Sequence, residues 1–257
     1  MKVTVCGLPN EPPALEHAWE QLVEHVQGHK SEFVLLPEMP FYRWLAHTRD
    51  VDASQWEKAV KAHEEWIARL GKLAPAMVVS TRPIVLDGKR QNAGYIWEVG
   101  RGAKTVHTKY YLPNEPGFWE ASWYERGDGD FSLASTSRGK VGFLICTEIW
   151  FNFRAREYGK QGMQLLVCPR ATPNPTALKW IAGGQAAAVV SGAYCLSSNL
   201  GGTTPAGGDY AGVGWIIEPK EGKVLGLTSA EQPFLTLDID LAEADRAKKT
   251  YPRYVLD

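Results

Sequence analysis

The chain has 257 residues, 44% of them hydrophobic and 22% charged, with a formal net charge of -1. That is enough apolar material for a sizeable core, and the near-neutral balance gives no electrostatic reason to expect nucleic acid or an anionic membrane as partner. No apolar run reaches the roughly 18 residues of a membrane span. The opening MKVTVCGLPN reads as a short strand without the apolar segment of a secretory signal, so a cytoplasmic protein is expected.

Four cysteines stand at positions 6, 146, 168 and 195, none in a CxxC pair. Neither a metal framework nor a disulfide scaffold is expected from so few in so long a chain. Cys6, Cys168 and Cys195 lie in or beside apolar runs, as core thiols do.

In chain order, KVTVCGL reads as a strand and is followed by Leu15, Ala18, Trp19, Leu22 and Val26 at helical spacing. FVLLPE, apolar on both faces, reads as a buried strand. A helix is expected over 52–70, with Trp56, Ala59, Val60, Ile67 and Leu70 on one face and Ser54 with Glu57 as a capping box. AMVVSTRPIVL, AGYIWEV and KTVHTKYYL are strands, with DGK at 87–89 and GRG at 100–102 as hairpin turns. Residues 112–130 form a long loop rich in Pro, Gly and aromatics, a kind often functional. The alternation then restarts: FSLAS, KVGFLICTEI, a helix near 152–161, QLLVCP and a helix near 176–193. CLSSNL, GVGWII, KVLGL and PFLTLDI complete the strands. With no linker or composition break, one α/β domain over 1–257 is expected.

In open α/β sheets reactive groups gather at the carboxyl ends of strands. Glu38 ends FVLLPE, Lys109 lies late in KTVHTKYYL, and Cys146 ends KVGFLICTE. Singly, each has a bland reading: a core thiol, a helix cap or salt-bridge partner, a solvated lysine. Brought together, they make a hydrolytic site. A free thiol, with a pKa of about 8.5, needs a base at neutral pH, and Glu38 can take its proton and return it to a leaving amine. The Lys109 ammonium and the Thr147 backbone N–H are then the donors for the developing oxyanion. No metal or cofactor is called for.

PE at 37–38, HTKYYLP at 107–113 and VGFLICTEIWF at 141–151 resemble the nitrilase superfamily of carbon–nitrogen hydrolases, as do SSNLGG, GVGWIIEPKEGKVL and FLTLDIDL further on. The resemblance implies an αββα four-layer sandwich and assembly into homodimers or larger homo-oligomers. It also implies a second glutamate between the lysine and the cysteine. Glu120 in FWEASWYERGD aligns best and Glu115 in LPNEPG competes, the role being to hold Lys109 and orient water or the leaving amine. Glu148 falls where the family usually has an acid, with a structural salt bridge as the alternative to chemistry.

The same site could cleave an amide, a ureido group or a nitrile, the alternative to all three being a binding or scaffold relative that keeps the fold without turnover. True nitrilases in the family commonly carry Trp after the nucleophile and are longer; here Thr147 follows, which favours an amide-type small-molecule substrate. Carbamoylases of amino-acid derivatives place arginines after the cysteine, where this chain has Ile149 and Trp150. Arg170 is a candidate anion contact from the opposite wall, the alternative being a surface or interface arginine. Phe41, Tyr42, Trp44, Phe118, Trp119, Trp123 and Trp150 suggest an aromatic pocket, with Tyr42 and Trp150 as substrate contacts, although aromatics more often only pack. Trp215 stands where relatives often have a small residue. His107, two residues from Lys109, offers a rival Cys–His pair. The glycine-rich 201–214 lacks the P-loop and dinucleotide spacings and reads as a mobile loop near the site.

Overall fold

The computed structural model describes residues 1–204 and 207–255; Pro205 and Ala206 of the glycine-rich stretch, and Leu256 and Asp257, lie outside the described residues. The first half contains β1 (Lys2–Pro9), α1 (Pro12–His29), β2 (Phe33–Leu35), α2 (Ala53–Ile67), β3 (Met77–Leu86), β4 (Lys89–Glu98) and β5 (Gly102–Thr108). Next come α3 (Glu120–Trp123), β6 (Ala134–Thr136), β7 (Gly139–Phe143), α4 (Asn152–Lys160), β8 (Leu165–Arg170) and α5 (Ala177–Ser191). The chain continues through β9 (Tyr194–Gly201), β10 (Trp215–Ile217), β11 (Val224–Leu227), β12 (Phe234–Asp238) and α6 (Leu241–Ala247).

Helix α1 starts on prolines, whose fixed φ suits a first turn that needs no N–H donor, and it buries the stripe Leu15, Trp19, Leu22 and Val26. Helix α2 begins where expected but is capped differently. Asp52, not a Ser54–Glu57 box, takes the first free N–H groups, accepting from Ser54 at 2.8 Å and Gln55 at 3.3 Å. It also stops at Ile67, before a 3-10 turn over Leu70–Leu73. Helix α3, a single turn inside the long loop, is too short to show periodicity.

Hydrogen-bonded strands run in the order β5-β4-β3-β2-β1-β9-β8-β7-β6. Strand β1 is shared: Val3–Val5 pair with β2, and Gly7–Pro9 pair with β9. The sheet folds over at β1, so its halves face each other. Val3, Phe33 and Val79 from one half share a core with Ile145, Val167 and Leu196 from the other. The alternate residues turn outward, as a period of two requires. Cys6, Val34 and Val78 pack with the α1 stripe, while Leu166, Cys168 and Cys195 pack with Ala155 of α4 and Ala187 of α5. The result is the expected αββα sandwich. Pairs β1–β2, β2–β3, β1–β9, β8–β9 and β7–β8 are all parallel. The carboxyl ends of β2, β7 and β8 therefore share one edge, and two antiparallel steps, through β4, bring the end of β5 there too.

The loop after β2 is tied to α2 by His63, which is fully buried. Its Nδ1 donates to Ala59 O at 2.7 Å, and its Nε2 accepts the Phe41 N–H at 3.3 Å. Burial pushes its pKa down to about 4. Below pH 6.5 the unfolded chain therefore takes up a proton that the fold refuses, and stability falls until pH reaches about 4. The loss expected from this group is roughly 3 kcal/mol. Urea unfolding at pH 7 and pH 4.5 should show a smaller pH effect in His63→Gln than in the parent; equal slopes would contradict this account.

Candidate active site

Glu38, Lys109 and Cys146 follow the ends of β2, β5 and β7, so the shared edge brings them together. Glu38 and Lys109 are fully buried, and Cys146 is 4% exposed. The Lys109 Nζ lies 2.7 Å from Glu38 Oε1 and 2.7 Å from Glu120 Oε2. Glu38 Oε1 also accepts the Asn92 side-chain amide at 2.8 Å, while Oε2 is buried with no hydrogen-bond partner. Backbone bonds fix the lysine: its N–H donates to Asn92 O and its carbonyl accepts from Gly127, both at 2.9 Å. Gly127 lies so close that a Cβ there would meet Thr108 Oγ1 at 2.2 Å.

Cys146 opens a 3-10 turn, Cys146–Trp150, with φ of +49°. A non-glycine residue in that region is strained, and such strain clusters at functional sites. Burial first, and then the Glu38 charge, push the thiol pKa up; Lys109 and the Ala171 N–H oppose them without prevailing. The balance therefore favours the neutral thiol over the thiolate. Burial alone would discharge Lys109, but Glu120 and Glu38 outweigh it and hold the ammonium charged. Glu120 is pushed up to about 7 by burial against the pull of Lys109, with Glu38 adding repulsion.

The other three cysteines are buried in the core, with Cys6 and Cys195 each pushed up to about 12 by burial. Cys146 differs in facing a cleft of about 410 Å³, which Glu120, Thr147, Phe118, Trp150 and Trp180 also line. Trp150 and Trp180 pack with ring centroids 5.1 Å apart.

The two candidate glutamates separate clearly. Glu120 is buried on Lys109, whereas Glu115 is exposed at the cleft wall. Glu148 does not line the cleft. It accepts from His107 Nε2 and from the backbone N–H groups of Tyr110 and Ile145, each at 2.8 Å. Burial disfavours both charges, but their mutual attraction prevails: the Glu148 pKa is lowered and that of His107 is raised. Glu148 thus clamps the residue after Lys109 to the residue before Cys146. This leaves His107 committed to Glu148, not to the thiol.

Two expected substrate contacts lie elsewhere. Arg170 is fully buried behind the site. Its guanidinium donates to Ser197 Oγ at 2.8 Å, to Thr172 Oγ1 at 2.7 Å and to Val213 O, and lies 4.0 Å over the Trp215 ring. All three nitrogens are engaged by protein acceptors, and Arg170 does not line the cleft. The bulk of Trp215 has its explanation here: it roofs Arg170 and lies where a Cβ on Gly184 would meet it at 2.8 Å. Tyr42 does not line the cleft, its hydroxyl donating to Gln55 at 2.7 Å. Of the aromatic set only Phe118 and Trp150 line the cleft. Trp44, bonded to Gly117 O, and Trp123, bonded to Thr48 O, are core.

Asn92, Lys179 and Trp180 escaped the sequence reading. Asn92 lies on a strand interior and touches Glu38 only through hairpin geometry, so no local pattern marks it. Among the described residues no three His, Cys, Asp or Glu side chains gather as a metal site, and no helix is long and apolar enough to cross a membrane.

A buried Glu–Lys–Glu cluster thus stands beside a strained cysteine at the edge of an αββα sandwich. The chain belongs to the carbon-nitrogen hydrolase family, whose model matches residues 2–249. It is 27% identical over 158 residues to an N-carbamoylputrescine amidase of Arabidopsis thaliana, covering 60% of this chain and 52% of that protein. It is 30% identical over 213 residues to Omega-amidase NIT2 of Xenopus tropicalis, covering 76% and 74%. The chain thus spans about half the length of the first of these relatives. Its fold matches a carbon-nitrogen hydrolase from Helicobacter pylori G27 with a TM-score of 0.86, 21% identity and coverage of 98% and 94%.

Proposed function

We propose that the chain hydrolyses a small carboxamide through a Cys146 thioester. The observation that carries this reading is the asymmetry of Glu38: one carboxylate oxygen is held by Lys109 and Asn92, while the other is buried without a partner. A fixed carboxylate with one free oxygen, beside a cysteine that rests as a thiol, is suited to general-base work.

In this mechanism the Cys146 sulfur attacks the amide carbon as Glu38 takes the thiol proton. The oxyanion is met by the Lys109 ammonium and the Thr147 N–H. Collapse of the tetrahedral adduct breaks the C–N bond, Glu38 returns the proton to the nitrogen, and ammonia or an amine leaves. Water then attacks the thioester, with Glu38 as base again, and releases the acid and the thiol. Glu120 holds Lys109 in place throughout. The names of the relatives, an N-carbamoyl amidase and an ω-amidase, support acyl or carbamoyl donors over nitriles.

The test is ammonia release from matched carboxamides, ureido compounds and nitriles, with mass spectrometry of the quenched enzyme. Turnover of carboxamides with an acyl adduct on Cys146 is expected. Ureido turnover alone would move the assignment to a carbamoylase, and no turnover or adduct would overturn it.

A further inference from the structure

Three charged side chains line the cleft among the described residues: Glu115, Glu120 and Lys179. Glu120 is committed to Lys109. The other two have opposite signs and come from different elements, Glu115 from the loop before α3 and Lys179 from the first turn of α5. Among the described residues neither has an ion-pair or side-chain hydrogen-bond partner. Two features keep them at the cleft. The Lys179 Nζ lies 5.5 Å over the ring of Trp150, itself a wall residue. Glu115 sits on a tight turn closed by its backbone bonds to Phe118. A lysine in the first turn of a helix also works against the helix dipole, so local stability does not account for it.

An anionic substrate would leave Glu115 unmatched and a cationic one would leave Lys179 unmatched. Building on the carboxamide reading, we propose that the cleft takes the ω-carboxamide of an α-amino acid, its carboxylate on Lys179 and its ammonium on Glu115. The amide then reaches Cys146 at the floor, between the aromatic walls. A cleft of about 410 Å³ is within the ordinary range for a small-molecule site.

The test compares L-glutamine with glutaramate, 4-aminobutanamide and butanamide, which carry both charges, the carboxylate only, the ammonium only and neither. The wild type should favour glutamine in kcat/KM. Lys179→Gln should cut the preference for glutamine over 4-aminobutanamide about tenfold, and Glu115→Gln its preference over glutaramate about tenfold, since a charged hydrogen bond contributes on that order. A second readout needs no turnover: calorimetry of L-glutamine binding to Cys146→Ala, with and without Lys179→Gln. Binding that weakens about tenfold with the lysine change supports the subsite even if no amide is cleaved, and that silence would count against the hydrolase reading alone. Equal use of all four amides, or glutamine binding indifferent to Lys179, would overturn the proposal.

Discussion

Under the proposed mechanism Cys146→Ala is expected to abolish carboxamide turnover, lowering kcat by about 10⁴-fold or more, since a nucleophile that forms the covalent intermediate has no substitute. The fold should survive. The side chain is small and lines the cleft, and the Cys168 thiol contact goes to the Cys146 backbone carbonyl, which alanine keeps. Alanine keeps the unfavourable positive φ but relieves none of it, so melting temperature should stay close to the parent value. Ammonia release and thermal melting on the same preparation decide the matter. Activity within tenfold of the parent in a folded variant would remove Cys146 from the mechanism.

Lys109→Met has the second largest expected effect. Methionine approximates the shape but leaves Glu38 and Glu120 buried on either side of an uncharged side chain. Loss of the proposed oxyanion donor should lower kcat by about 10²- to 10³-fold. The variant should also change how stability depends on pH. Two buried carboxylates without a cation cannot both stay ionised, so the pair takes up a proton on folding. A carboxyl whose folded pKa is raised contributes stability that is present below its unfolded pKa and lost as pH rises through the folded value. The destabilisation relative to the parent should therefore be larger at pH 8 than at pH 5. A constant difference between the two would mean that Lys109 does not compensate both carboxylates.

Much of the fold was legible because its signals are local. The i, i+4, i+7 spacing of Leu15, Trp19 and Leu22 marks a helix whatever it packs on. The hairpin at Asp87–Gly88 is marked by residues that accept positive φ, here +51° and +75°. The Ser54–Glu57 box failed for an equally local reason: Asp52, two residues earlier, competed for the same free N–H groups.

The site was legible in part. Glu38, Lys109 and Cys146 each follow an apolar strand and stand in recognisable flanks, so sequence could nominate them. Arg170 and Tyr42 were misplaced because a charged or aromatic residue near a strand end can turn to either side of its sheet. In the structure Arg170 turned toward Trp215 and Ser197, and Tyr42 toward Gln55.

By itself the sequence determined the family, the order of the strands and of the longer helices, and which reactive residue types follow which strands. Those properties depend on side chains a few positions apart. Only the tertiary structure decided that Glu120 and not Glu115 meets Lys109, that Asn92 holds Glu38 and that Glu148 clamps the lysine strand to the cysteine elbow. The physical reason is separation along the chain. Glu38 and Lys109 are 71 positions apart and Glu148 and His107 are 41 apart. Such pairs form only once the sheet has folded over at β1 and its strand ends share one edge.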